Sequence, residues 1–232
     1  MTRGHEQSHS RPGVSSVTPP REKTIQVPVF SEAQLAAAGG ISHPLLHGQY
    51  MFEEFLSEEE QEQLLQVVDR SWPAWTEQSF NGRYRGKAWG VRADLRARQI
   101  LAAALPLPPL LLRIVERIQT LPPTCNFTPN ECNAITYIKG RHHLEPHFDD
   151  RHLSADIIVN LSLCGACVMT FTKPVSAGDT RQQPLSVRVP LPARTLQVLT
   201  KDARFNFTHA IHASDLVDDK RVSLTFRFSP LT

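Results

Sequence analysis

The chain has 232 residues, 41% of them apolar, which suffices for one domain with a full-sized core. Its formal net charge of +2 is too small to demand a nucleic-acid partner, although the cations are skewed towards arginine, 19 against 6 lysines. Four cysteines (Cys125, Cys132, Cys164, Cys167) do not make a secreted disulfide scaffold, no apolar stretch reaches the roughly 18 residues of a membrane span, and no basic-then-apolar leader opens the chain. The expectation is a monomer without membrane contact, in the cytoplasm, the nucleus or both.

Residues 1–26, rich in Ser, Pro, Arg and His, are expected to be a disordered tail, leaving 27–232 as the folded domain. Residues 33–38 suit a short helix that Gly39 and Gly40 would end, and firm structure is expected from near Tyr50. The capping box that opens at Ser57 predicts a helix over 58–70, and the Pro108-Pro109 pair opens another that runs to Ile118. Between them lies the most basic stretch, 78–98. There Arg83, Arg85, Lys87, Arg92, Arg96 and Arg98 face a single Asp94, interleaved with Phe80, Tyr84 and Trp89. It reads either as a solvated loop or as a substrate lid, and such a lid would suit single-stranded nucleic acid or an acidic protein surface. After residue 128 the texture becomes β: 131–138, 144–149, 156–163, 167–172, 185–189, 195–199, 205–209 and 222–228 are predicted strands. Helices followed by about eight antiparallel strands imply an α+β protein. The expected core is a double-stranded β-helix, or jelly roll, with helices packed on one side.

Cys164-Gly165-Ala166-Cys167 has no second cysteine pair at zinc spacing and reads as a hairpin turn. His147 and Asp149 are two apart. If their run is a strand they share a face, and with one distant histidine they form the two-His-one-carboxylate set of non-haem iron oxygenases. Asp150 has the opposite parity. His209 ends an apolar run, whereas His212 lies just past it among polar residues. His142 and His143 follow Gly140 in a turn and read as surface residues or as supports of the site. Arg221 and Arg227 are six apart, on one strand face with Ser223 and Thr225, opposite Val222, Leu224 and Phe226. That face is either half solvated or lines a cavity.

The order His-x-Asp, a histidine about sixty residues on, then two arginines six apart resembles the AlkB family of Fe(II)/2-oxoglutarate dioxygenases. The approach from Val189 to Thr200 resembles that family's penultimate strand. Glu131-Cys132-Asn133 leading to Tyr137, the run from Pro146 to Asp150, and His209-Ala210-Ile211-His212 are most similar to the homologue-four branch. The resemblance covers roughly residues 50–230. It implies Fe(II) held by His147, Asp149 and His209 as the catalytic centre, 2-oxoglutarate held by Tyr137, Arg221 and Arg227, and O2 as oxidant. It also places Arg83, Arg85 and Lys87 in a substrate lid. The implied reaction is oxidative N-demethylation of a methylated lysine in a protein such as actin, with effects on actomyosin, or of N-methylated bases in DNA or RNA, N6-methyladenine among them. One departure is Ile135, where many nucleic-acid members carry Asn. A binding module on an inactive barrel is the non-enzymatic alternative, and the intact set of six residues speaks against it.

Overall fold

The computed structural model describes residues 26–94, 97–175 and 183–230; residues 1–25 of the expected tail, and Arg96, lie outside the described residues. Helix α1 (Glu32–Ala37) is closed at its start by a capping box of Ser31 and Gln34. Strands β1 (Gly40–Ser42) and β2 (Gln49–Phe52) follow, so regular structure begins well before Tyr50. Leu35 is the reason: it is buried in the same apolar cluster as Tyr50 and Phe52. Helix α2 (Glu58–Arg70) starts at the Ser57–Glu60 capping box, and α3 (Pro109–Ile118) carries Pro in its first turn. Helices of this length are marginal in water. Burial of Leu64, Val68, Leu111, Ile114 and Ile118 holds them to the sheet, at roughly 1.5–3 kcal/mol per side chain.

Between these helices the expected loop is instead β3 (Thr76–Gln78), β4 (Gly82–Asp94) and β5 (Gln99–Leu105), with both neighbours hydrogen-bonded to β4. Charges on alternate residues disguised this strand: Arg83 and Arg85 are exposed, but Lys87, Trp89 and Val91 on the same parity are buried. The rest are β6 (Glu131–Ile138), β7 (His143–His147), β8 (Ile158–Cys164), β9 (Cys167–Lys173), β10 (Leu185–Leu191), β11 (Leu196–Leu199), β12 (Thr208–Ile211) and β13 (Lys220–Arg227). A short helix, α4 (Lys201–Phe205), precedes β12, so the strand expected over 205–209 begins three residues later.

The ladder runs β1-β2-β11-β8-β13-β6-β4-β7-β12-β9-β10, and the pairs are antiparallel. It curls into the expected jelly roll, with the long β4 crossing from β6 in one half to β7 in the other. The turn at Gly165 joins β8 to β9, which lie in different halves; it is a corner between sheets and not the expected hairpin. Gly165 has φ +70°, and a Cβ there would lie 2.1 Å from the Lys220 carbonyl oxygen. All four cysteines are free.

Two large clusters hold most of the apolar side chains, and a small third one joins Val91, Ile100 and Leu153. Of the large ones, one joins the outer face of β2, β6, β8, β11 and β13 to the helices; the other lies between the two halves of the roll. Val222, Leu224 and Phe226 face the helices, so Arg221, Ser223, Thr225 and Arg227 face the interior. In β4, Trp89 packs with the helices and Tyr84 against the interior cluster.

Candidate metal centre

His147 is the last residue of β7, and Asp149 lies just beyond it, so the two do not share a strand face as expected. Hydrogen bonds bring Asp149 round instead. Arg204, 3% exposed on α4, donates to the backbone carbonyls of Asp149 (2.9 Å) and Asp150 (2.8 Å). The Asp150 carboxylate accepts from the amides of His152 and Leu153, which closes the loop and occupies that side chain. His209 enters from β12, directly opposite His147 in the ladder. One ligand atom from each of His147, Asp149 and His209 lies within 4.8 Å of the others. His212, by contrast, is exposed ahead of a 3-10 turn.

Protonation suits this donor set. His147 Nδ1 is 2.8 Å from the Glu145 carbonyl oxygen, to which it can only donate, so Nε2 is the nitrogen left for a metal. Burial, opposed by Asp149 and reinforced by His147, Arg227 and Arg204, pushes His209 down to about 3, so its imidazole is neutral at physiological pH. Burial would lift the Asp149 carboxyl, but Arg227, His209, Arg204 and His147 outweigh it and hold the group well below the usual carboxylate range. Two neutral imidazoles and one carboxylate are what a divalent iron site of this type requires.

Six residues before Arg227, on the same inner face of β13, lies Arg221, 1% exposed. Its Nη1 donates to Ser223 Oγ (3.0 Å) and its Nη2 to Ser162 Oγ (2.9 Å), while Nε has no partner. Among the described residues it forms no ion pair. Tyr137 faces it across the β6–β13 ladder, with the guanidinium carbon 5.8 Å from the ring centre. Burial pushes the Tyr137 phenol well above its ordinary range. A buried cation with only neutral partners among the described residues lacks a counter-charge, and an anionic group such as a carboxylate fits it. Arg227 is differently employed: its Nη2 donates to Asp149 Oδ1 at 2.7 Å, and its Nη1 lies 3.7 Å from Glu131.

The basic stretch does not form the expected lid as a unit. Arg83, Arg85 and Lys87 share the parity of Trp89 on β4, away from the interior. Arg83 and Arg85 are exposed, and Arg85 is 3.9 Å from Glu77. Lys87 is 6% exposed and donates to the carbonyls of Asp69 and Ser71, with its ammonium 4.7 Å from the centre of the Trp75 ring. Such a lysine clasps the loop after α2 and is closed to substrate. The residue that does face the interior is Tyr84, 6.0 Å from the Tyr137 ring. Burial raises its phenol, with Arg227 and Asp149 both near enough to act on it. The alternation Arg83-Tyr84-Arg85 could have revealed it. His142, expected at the surface or in a supporting role, is fully buried: its Nδ1 accepts from the Ile138 amide. Nothing in the local pattern marked Arg204, and Glu131 entered only as part of the run Glu131-Cys132-Asn133 that carried the resemblance.

Residues 48–227 match the 2OG-Fe(II) oxygenase superfamily. The chain belongs to that superfamily. Human and mouse proteins named alpha-ketoglutarate-dependent dioxygenase alkB homolog 4 are 28% and 26% identical to it over 205 residues. The matches cover 78% of this chain and 66% and 67% of theirs, so the chain spans about two-thirds of their length. A mouse protein named tRNA (carboxymethyluridine(34)-5-O)-methyltransferase ALKBH8 is 29% identical over 174 residues, which are 71% of this chain and 24% of that protein. The solved structure of OsALKBH1 superposes with a TM-score of 0.57 at 16% identity, covering 80% of this oxygenase and 99% of that chain. A Pseudomonas putida prolyl-4-hydroxylase gives 0.52 at 13% identity, covering 79% and 94%. These superpositions show the jelly-roll fold. Family membership implies Fe(II) and 2-oxoglutarate, and the three-residue cluster fits the metal.

Proposed function

We propose that this oxygenase removes N-methyl groups oxidatively from methylated lysine in a protein, with actin the candidate that the homologue-four resemblance suggests. His147, Asp149 and His209 would hold Fe(II); Arg221 and Tyr137 would hold the far carboxylate of 2-oxoglutarate. Arg227, expected to hold the cosubstrate, would serve it through Asp149. Iron and 2-oxoglutarate, with O2, supply hydroxylation of the N-methyl carbon; the cosubstrate leaves as succinate and carbon dioxide, and the hydroxymethyl amine collapses to formaldehyde and the free amine. The protein's share is orientation. The His147 tautomer is set by Glu145, the Asp149 loop is held by Arg204, and the Arg221 fork is fixed by two serine hydroxyls.

The observation that carries the protein-substrate reading is the sidedness of β4. Its cavity face presents Tyr84, while Arg83 and Arg85 face away. A phosphodiester backbone calls for cations at the site, whereas a methylated ammonium is attracted to an aromatic face and a carboxylate. The nucleic-acid reading is kept alive by the mouse relative named as a tRNA methyltransferase. Formaldehyde and succinate are to be followed with Fe(II), 2-oxoglutarate and either monomethyl-lysine peptides or N-methylated oligonucleotides. Turnover of the peptides is expected; turnover of the oligonucleotides alone would replace this reading with the other.

A further inference from the structure

The two oxygens of Asp149 have separate surroundings. Oδ1 accepts from Arg227, and Oδ2 lies 3.8 Å from His209 Nε2. One oxygen is therefore held by the guanidinium and the other is turned towards the imidazole ligands. That separation depends on where Arg227 points, and Arg227 has a second carboxylate on its far side. Glu131, 4% exposed, stands directly across the β6–β13 ladder from Arg227. It is tied down on both oxygens: Oε1 accepts from Asn133 Nδ2 at 2.5 Å and Oε2 from Ser229 Oγ at 2.7 Å. Ser229 is itself fixed, because its amide donates to Asn130 Oδ1 and its carbonyl accepts from Asn130 Nδ2, each at 2.8 Å.

We propose that Glu131 is a positioning residue for the metal centre, holding the Arg227 fork from behind so that only Oδ2 of Asp149 faces the metal. This rests on the iron-site reading above. An isolated buried arginine between two acids could serve the fold alone, but a side chain tied at both oxygens by residues that are themselves pinned makes a fixed support. Partners that orient metal ligands in this way typically contribute 10- to 100-fold in metal affinity, by about that order.

Glu131→Gln keeps the size of the side chain and removes its charge. Co(II) serves as a redox-silent probe, titrated into the full chain and followed by its visible absorption. Affinity is expected to fall about 10-fold or more, with circular dichroism of the metal-free protein unchanged. Arg227→Gln should also lose affinity, and adding Glu131→Gln to it should cost little further, because Glu131 acts through Arg227. Ser229→Ala, which removes one hydroxyl, should lose about 3-fold and serves if the glutamine variant does not fold. Wild-type Co(II) affinity in Glu131→Gln, or in Ser229→Ala where that variant has to stand in, overturns the proposal, as does full additivity with Arg227→Gln. Failure of the wild type to bind Co(II), or binding that survives His147→Ala, overturns the iron-site reading, and the proposal falls with it.

Discussion

The two ends of the inner face of β13 treat a buried arginine in opposite ways. At one end Arg227 lies between Asp149 and Glu131, and its positive charge is answered within the protein. At the other, Arg221 is more deeply buried and, among the described residues, is met by the hydroxyls of Ser162 and Ser223 and the ring of Tyr137 but by no acid, with Nε unpartnered. Both sit on the inner face of β13, six residues apart, so the sequence presents them as equivalent. On the proposed reading, the first is a structural charge and the second a binding charge. A buried ion is tolerated when its partner is built in; one left without a partner marks the place where a ligand must bring it.

The most severe way to break the comparison is at the metal end. His147→Ala, Asp149→Ala and His209→Ala should each abolish metal binding and turnover, since these three donors within 4.8 Å are the whole cluster among the described residues. His212→Ala, an exposed side chain outside the cluster, should keep most activity. Metal titration of the four variants decides the matter. Retention of metal in His209→Ala together with its loss in His212→Ala would reverse the assignment.

At the other end, Arg221→Met should separate two quantities that usually fall together. It removes a buried charge that no described acid balances, so the melting temperature of the ligand-free protein should hold or rise. Its affinity for 2-oxoglutarate should fall by an amount on the order of 2–5 kcal/mol, the usual cost of losing one side of a buried charge pair. Arg221→Lys should rescue only part, because an ammonium cannot reproduce the fork. Thermal melting with and without 2-oxoglutarate reads both quantities, since the ligand stabilises only a form that binds it. Unchanged affinity in both variants would refute the cosubstrate role, and a large loss of ligand-free stability would show that Arg221 is structural.

Legibility followed the same division. Helices α2 and α3 were readable because the Ser57 box and the Pro108-Pro109 pair are local signals, and β6, β8, β9 and β13 because of their apolar and β-branched runs. The His-x-Asp pattern and the family resemblance together named the trio that the structure brings into one cluster, although the strand face invoked for the first pair does not exist. What stayed hidden depends on partners distant in sequence. Arg204 matters through carbonyls 54 and 55 positions away. Glu131 matters because pairing sets it against Arg227. Lys87 looked like its neighbours Arg83 and Arg85 and is buried by a loop that folds back on it.

Lys87 gives the third test. Lys87→Ala leaves the carbonyls of Asp69 and Ser71 without their donor and removes the stem packed beside Trp75, so it should destabilise by about 1–3 kcal/mol. The same change at exposed Arg83 should stay within about 0.5 kcal/mol. Urea unfolding of the two variants measures both. Equal effects would mean that burial does not separate these cations.

The smallest effect is expected at the outer face of β4, and it bears on substrate class. If Arg83 and Arg85 contacted phosphates, their joint replacement by Gln would flatten the salt dependence of nucleic-acid binding. Each lost single-strand contact removes about 0.7 log-units of affinity per log-unit of salt. Both side chains share the parity that points away from the cavity, and Arg85 is already engaged by Glu77. A strand cannot easily reach the iron end while running along the opposite face. Binding of unmethylated single-stranded DNA and RNA should therefore be weak, and its salt slope should change little in the double variant. A steep slope that collapses on replacing the two arginines would put nucleic acid on this face. Tyr84, turned towards the interior, would then be too little on its own to keep the lysine reading ahead.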